Sequence, residues 1–454
     1  MKLFRVALAI VLAASLPACD SPAPRQATAG PIAGSPIAGL MVSGNHLVDG
    51  DGRRVRLLGF NHSGAEYSCV EGDGLFDTPG GGVPSPAVIN AMRSWPGANA
   101  VRVPLNEQCW LGLPSVPAAY AGETYRAAIH AFVTELNRQG FAAILDLHRS
   151  APGDGVPRGQ EQMPDRDHSL AFWSSVASSF RSEAVVFDLF NEPFPYQEHD
   201  SERAWTCWRD GGCTLTSTNS GKPYVAAGMN DLIAAIRATG SRTVVLAGGI
   251  GWAEGMTGWL KHRPDDPLRQ VGASFHAYSF NEYCADVACY DRDLAPIAAQ
   301  VPLVVGEIGP TLTIGPDADV DRNCPASAVR GNGFATSTFD WLDAHGASYT
   351  PWSWNPWSDC WSLVTSWGGE LYTVEAGPVV GGTAAGTKTA ADRGGCGGAS
   401  KSNSMVGSSI SVAATVAWSR PCGVRPPALL GAFSSTPLTL PSITSLSSVS
   451  ALVT

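Results

Sequence analysis

Residues 185–193 read Val-Val-Phe-Asp-Leu-Phe-Asn-Glu-Pro. A short β-branched and apolar run ends on the polar pair Asn191-Glu192, with Pro193 behind it. Seven comparable runs lie at Val55–Phe60, Ala100–Pro104, Ala142–Leu147, Thr243–Ala247, Ala273–Phe275, Leu303–Val305 and Ser348–Trp352. Helical patterns separate most of them: Ala87–Ser94, Thr124–Gln139, His168–Phe180, Tyr224–Thr239, Leu294–Gln300 and Thr336–His345. Strand–helix alternation argues for a parallel sheet. Eight such units argue for an α/β fold of the (β/α)8 TIM barrel type. A doubly wound sheet is the competing architecture, but the chain lacks the Gly-rich phosphate loop that goes with it. The run Val42–Arg56, with Asp49-Gly50 and Asp51-Gly52 as turns, reads as a short leading hairpin that would close the barrel bottom.

The barrel is expected over residues 41–377 of a 454-residue chain. Lys2 and Arg5 precede an apolar stretch of eleven residues, Val6–Leu16, too short to span a bilayer and suited to a signal peptide. Leu16-Pro17-Ala18-Cys19 resembles a bacterial lipobox, whose Cys becomes the lipidated first residue of the mature protein, so 1–19 is expected to be a signal peptide with lipobox. Plain secretory cleavage is the alternative. Residues 20–40, Pro/Ala/Gly-rich with a repeated Pro-Ile-Ala-Gly, form a flexible tether. Residues 378–454 are a low-complexity tail of unknown role.

Export implies an oxidising compartment, and therefore disulfides. Eight cysteines lie between 69 and 360. Cys207/Cys213 and Cys284/Cys289 are near enough in sequence to close small loops. Cys69/Cys109 and Cys324/Cys360 are the remaining pairs, although spacing alone does not prove connectivity. The formal net charge is −10, and only five of the 30 basic residues are Lys. Neither a nucleic-acid partner nor a polybasic membrane patch fits that balance. No CxxC or HExxH metal pattern occurs, so neither metal nor cofactor is expected.

In such a barrel, reactive side chains stand at the C-terminal ends of strands. The residues there are Asn61, Arg102, His148, Asn191-Glu192, Trp252, His276 with Tyr278, Glu307, and Trp352 with Trp354. Glu192 and Glu307 follow the fourth and seventh strands, which face each other across the mouth. Two facing carboxyls suggest glycoside hydrolysis, one protonating the leaving oxygen and one facing the anomeric carbon.

The ordered motifs Leu58-Gly59-Phe60-Asn61, Val101-Arg102-Val103-Pro104, Leu145-Asp146-Leu147-His148, Leu189-Phe190-Asn191-Glu192-Pro193, His276-Ala277-Tyr278, Val305-Gly306-Glu307 and Trp354-Asn355-Pro356 resemble glycoside hydrolase family 5, the cellulase family of clan A. The resemblance implies Glu192 as acid/base and Glu307 as nucleophile. It implies Arg102 and Tyr278 as holders of Glu307, Asn191 on the sugar 2-hydroxyl, His148 and His276 as ordering groups, and Trp354 as an apolar floor. Trp110, Trp205, Trp208, Trp252 and Trp357 are further candidates for neighbouring subsites.

The function so implied is an exported retaining endo-β-1,4-glucanase, a monomer acting on a polysaccharide or oligosaccharide outside the cytoplasm. It would be secreted, or lipid-anchored through Cys19 at the bacterial cell envelope. The same chemistry on β-mannan, xyloglucan or another β-glycoside is the alternative. A non-catalytic carbohydrate-binding protein would lack one carboxylate, and both are present. A serine esterase would need a GxSxG elbow, which the chain lacks.

Overall fold

The computed structural model describes residues 37–181, 184–281, 283–310, 333–357 and 359–370. The expected signal segment, most of the tether, the tail, and Cys19, Cys324, Cys396 and Cys422 lie outside the described residues.

The described chain enters through three short antiparallel strands, β1 (Met41–Ser43), β2 (His46–Val48) and β3 (Arg54–Val55). The expected single hairpin is thus a three-stranded unit. Its first turn falls at Gly44-Asn45, and the Asp-Gly stretch joins β2 to β3.

The barrel strands follow: β4 (Gly59–Asn61), β5 (Ala100–Asn106), β6 (Ala142–Arg149) and β7 (Val185–Asp188). A small antiparallel pair comes next, β8 (Thr214–Thr216) with β9 (Pro223–Val225). The barrel resumes with β10 (Val245–Gly248), β11 (Val271–Tyr278), β12 (Leu303–Gly309) and β13 (Ser348–Tyr349). The eight barrel strands form one parallel sheet in sequence order. Leu58 bridges Tyr349 in parallel, and the Tyr349 amide donates to the Leu57 carbonyl at 2.9 Å. These bonds bring β13 back to β4 and close the sheet into a TIM barrel.

Alternation along the strands divides the apolar residues into two sets. Ala100, Ala142, Ile144, Ala184, Val186, Val244, Leu246 and Val304 fill the lower interior together with Leu47 and Val55 from the N-terminal strands. Ile37 and Leu40, expected in the tether, are buried in this same layer. The intervening residues, such as Ala143, Leu145, Val185 and Phe187, face outward onto the helix layer. Above the apolar layer the inward positions turn polar, with Arg102, Asp146 and Asp188 each two residues further along its strand. The barrel is closed below and chemically active above because this one period changes its residue type halfway up.

Helices Pro86–Arg93, Glu123–Arg138, Ser169–Ser179 and Phe334–Ala344 lie close to their expected spans. The helix expected from Tyr224 starts instead at Met229. Tyr224 belongs to β9, and its hydroxyl meets both the amide and the carbonyl of Met163 at 3.0 Å. Gly228 breaks the apolar run, and the Asp231 carboxylate accepts from its amide at 3.0 Å to start the helix there.

Disulfides join Cys69 to Cys109, Cys207 to Cys213 and Cys284 to Cys289. Cys360 is also disulfide-bonded. The first of these closes a span of 40 residues and ties the loops after β4 and β5 together. Replacing both Cys69 and Cys109 by Ser should lower unfolding stability by about 2–4 kcal/mol, through the freed unfolded chain. Denaturant unfolding measures this, and an unchanged midpoint would contradict it.

Candidate active site

The guanidinium of Arg102, on β5, is fully buried inside the barrel. It reaches five oxygens. Its Nη1 donates to Glu307 Oε1 at 2.7 Å and to Asn61 Oδ1 at 3.1 Å. Its Nε donates to Asp188 Oδ2 at 3.1 Å, and its Nη2 to Asn191 Oδ1 at 2.8 Å. Asp146 Oδ2 is 2.9 Å from Nη2. Burial works against the Arg102 charge, but Asp146, Asp188 and Glu307 together push its pKa above the ordinary value.

One cation faces three carboxyls, and they do not share it equally. Burial raises Asp146 to about 7 and Asp188 to about 6, with Arg102 only partly offsetting this. For Glu307 burial also acts upward, but His276, Arg102, His148 and the Tyr278 hydroxyl outweigh it and hold its pKa at about 2. Tyr278 OH donates to Glu307 Oε2 at 2.5 Å. The Tyr278 pKa is raised well above 10.0 by burial and the Glu307 charge, so the proton stays on the phenol. Glu307 is therefore an anion across the ordinary pH range.

The strand register places Glu307 over its partners. On β11 and β12, Phe275 pairs with Val305 but His276 pairs with Glu307, so Gly306 is the extra residue of a bulge. A Cβ at Gly306 would stand 3.0 Å from His276 Nε2 and 3.2 Å from Ser274 Oγ. A larger residue there would make the imidazole or the bulge give by a few tenths of an ångström. The Gly306 carbonyl accepts from Asn61 Nδ2 at 2.8 Å and from Thr350 Oγ1 at 2.7 Å, which ties β4 and the residue after β13 to the bulge.

Glu192 approaches from the opposite side. His276 Nδ1 lies 3.0 Å from Glu192 Oε1 and 3.7 Å from Glu307 Oε2. An oxygen of Glu192, one of Glu307 and a nitrogen of His276 all lie within 4.8 Å of one another. Burial lowers the His276 pKa, but the two glutamates more than compensate, and the net direction is upward. Glu192 is half-buried, with 19% of its side chain exposed, against 5% for Glu307.

The two glutamates open into a cleft of about 490 Å³ lined also by His148, Asn191, Trp252, Glu254, Tyr278, Phe280, Asn281, Trp352 and Trp361. His148 Nδ1 meets Asp146 Oδ2 at 2.7 Å, and burial drops its pKa to about 4, leaving a neutral ring at the cleft wall.

Of the eight residues expected at the site, Glu192, Glu307, His148, Asn191 and Tyr278 line the cleft, and Arg102 and His276 support it from below. Trp354 does not reach it. That ring is fully buried, packed on Phe60 with centroids 4.8 Å apart and on Trp95 at 5.1 Å. Trp352 faces the cleft instead and stacks on His148 at 5.8 Å. β13 ends at Tyr349, so strand alternation gives no guide to orientation at 352–354. Trp110, Trp205 and Trp208 are buried packing residues, whereas Trp252 is 39% exposed and stacks on Phe194 at 3.8 Å. Phe280 and Asn281 lie outside the expected set but follow His276 and Tyr278 off the same strand end, within reach of the strand-top rule. Trp361 lies beyond the eighth strand, and no period marks it.

The family model described as Cellulase (glycosyl hydrolase family 5) matches residues 48–358. A mannan endo-1,4-beta-mannosidase of Salipaludibacillus agaradhaerens is 22% identical over 342 residues, 74% of this chain and 91% of its own length. Endoglucanase CelA of Streptomyces lividans is 24% identical over 319 residues, 70% of this chain and 56% of its own. A solved beta-glucanase from Saccharophagus degradans, in complex with cellotetraose, superposes with a TM-score of 0.54 at 18% identity, covering 78% of this chain and 94% of that one. That likeness is one of fold.

Arg102→Leu would strand three buried carboxyls. The expected loss of stability at neutral pH is about 3–5 kcal/mol. Without the cation all three pKa values rise, so the deficit should shrink as pH falls and the carboxyls neutralise. In the native protein the sign is opposite for Glu307, whose stabilising contribution is present above its ordinary 4.5 and lost only toward about 2. Chemical denaturation of both proteins from neutral to acid pH checks this; a deficit independent of pH would contradict it.

Proposed function

The chain belongs to glycosyl hydrolase family 5, and from that premise we propose that it is a retaining endo-β-1,4-glucanase acting by double displacement. The observation that carries the reading is the spacing of the two carboxyls. Oxygens within 4.8 Å suit the gap of about 5–5.5 Å used for direct attack, rather than the ~6.5–9.5 Å that leaves room for an inverting water.

The two environments support two different roles. Glu307, held ionised by Arg102, His276 and Tyr278, attacks the anomeric carbon. As that bond forms, the glycosidic C–O bond breaks, and Glu192 gives its proton to the departing oxygen. Water then attacks the glycosyl-enzyme, giving a proton back to Glu192, and Glu307 leaves as the carboxylate. Asn191 lines the cleft beside the nucleophile and serves the 2-hydroxyl with the second hydrogen of its Nδ2, the first being donated to Gln160. His148 and His276 order the hydroxyls and the carboxyls, and Trp352 takes the part of the apolar wall.

The glucan reading draws support from the cleft walls. Every ring hydroxyl of a β-glucosyl unit is equatorial, so both of its faces are C–H surfaces. Trp252, Phe280, Trp352 and Trp361 offer rings for such faces. β-Mannan is the second reading, favoured by the relative named as a mannan endo-1,4-beta-mannosidase. We also place the protein outside the cytoplasm, where disulfides such as Cys69–Cys109, Cys207–Cys213 and Cys284–Cys289 would persist.

Proton NMR of a fresh digest should show the β anomer first at the new reducing end. The α anomer first would reject retention. Reducing-sugar release should be faster from carboxymethyl cellulose than from mannan or xyloglucan run beside it; the reverse order would replace the glucan reading by the mannan one.

A further inference from the structure

Glu192 has a backbone φ of +47°. Residues other than glycine are uncommon in that region, where a Cβ crowds the backbone. Such a conformation persists only when its surroundings hold it. Pro193 follows and has no amide hydrogen to contribute. The two carbonyls around this kink, those of Asn191 and Glu192, both accept from one side chain: Gln160 Nε2, at 2.9 and 2.8 Å.

The polarity of that contact is set from the barrel interior. A guanidinium only donates, so the Asn191 Oδ1 must face Arg102. Asn191 Nδ2 then points the other way and donates to Gln160 Oε1 at 3.2 Å. With its oxygen occupied, Gln160 turns its NH₂ onto the two carbonyls. The Asn191 amide is already oriented by Arg102. What depends on Gln160 is the backbone that carries Glu192.

Gln160 is itself well anchored. Its neighbour Glu161 is fully buried and accepts from Ser217 Oγ at 2.6 Å, Thr218 N at 2.8 Å and Asn219 Nδ2 at 2.8 Å. The Thr218 hydroxyl donates to the Gln160 carbonyl. The connection between β8 and β9 thus holds this segment against the rim, and Gln160 does not line the cleft.

We propose that Gln160 is a positioning residue that holds the backbone of Glu192 in the left-handed conformation from which its carboxyl serves as acid and base. The proposal rests on the reading of Glu192 as the acid/base group. It extends the site beyond residues that touch the sugar, to a loop after β6 and the hairpin that braces it.

The test uses the dependence on leaving group. An activated aryl glycoside, such as the 2,4-dinitrophenyl β-glycoside of the preferred disaccharide, leaves without a proton. The phenyl glycoside needs one. Gln160→Ala and Gln160→Met, the second keeping the volume, are compared with the parent and with Glu192→Ala. For both Gln160 variants kcat/KM should fall at least ~10-fold on the phenyl glycoside and under ~3-fold on the dinitrophenyl one. Equal losses on the two substrates, the mark of a merely structural defect, would overturn the proposal, as would no loss on either. If Gln160→Ala does not fold, Gln160→Met is read by the same criterion. Glu192→Ala separates the two levels. If it too lacks the leaving-group dependence, the acid/base reading fails and takes the proposal with it. If it shows the dependence and the Gln160 variants do not, only the role of Gln160 fails.

Discussion

A single buried guanidinium organises this barrel. Arg102 sits on β5, and its five oxygen partners come from β4, β6, β7, the turn after β7, and β12. An ion this deep needs charge and hydrogen-bond partners in fixed positions, because water cannot make up a missing one. Its planar fork sets their directions as well as their distances, which a lysine ammonium would not do. The strands must therefore reach one height in the barrel. Below that height the interior is apolar and capped by the N-terminal strands. Above it the cavity is open and charged.

The same interaction makes the two glutamates unlike. Glu307 is drawn into the cation cluster, buried and kept anionic. Glu192 stands outside it, more exposed, with its carboxyl 3.0 Å from His276 Nδ1. Two chemically identical side chains thus acquire complementary tendencies from where the backbone puts them. Two local irregularities do that placing. The Gly306 bulge lifts Glu307 into register with His276, and the left-handed backbone at Glu192 aims the second carboxyl. Regular strand geometry alone would supply neither.

Much of this was legible from the sequence, for a physical reason. Strands buried on both faces leave a run of apolar letters, and the polar residue that ends each run stands at the rim. That rule located Glu192, Glu307, His148, Asn191, His276 and Tyr278, whereas Arg102 lies inside its run and deeper in the barrel. It failed where no regular period holds. Past Tyr349 the chain leaves the strand, and Trp352 faces the cleft where Trp354 was expected. Tyr224 sits in an apolar stretch that reads as helical until the Pro223 and Gly228 punctuation is weighed against it. Gln160 carries no signal at all: it lies in a long loop, and its importance comes from two carbonyls that no residue letter encodes.

The account requires a covalent bond between sugar and enzyme at one named atom. Incubation with a 2-deoxy-2-fluoro β-glycoside bearing a good leaving group slows the second step more than the first and lets the intermediate accumulate. Mass spectrometry of the intact protein and its peptides then locates it. The account predicts one glycosyl unit, esterified to Glu307. Addition at Glu192, or release of the leaving group with no adduct at any residue, would contradict it.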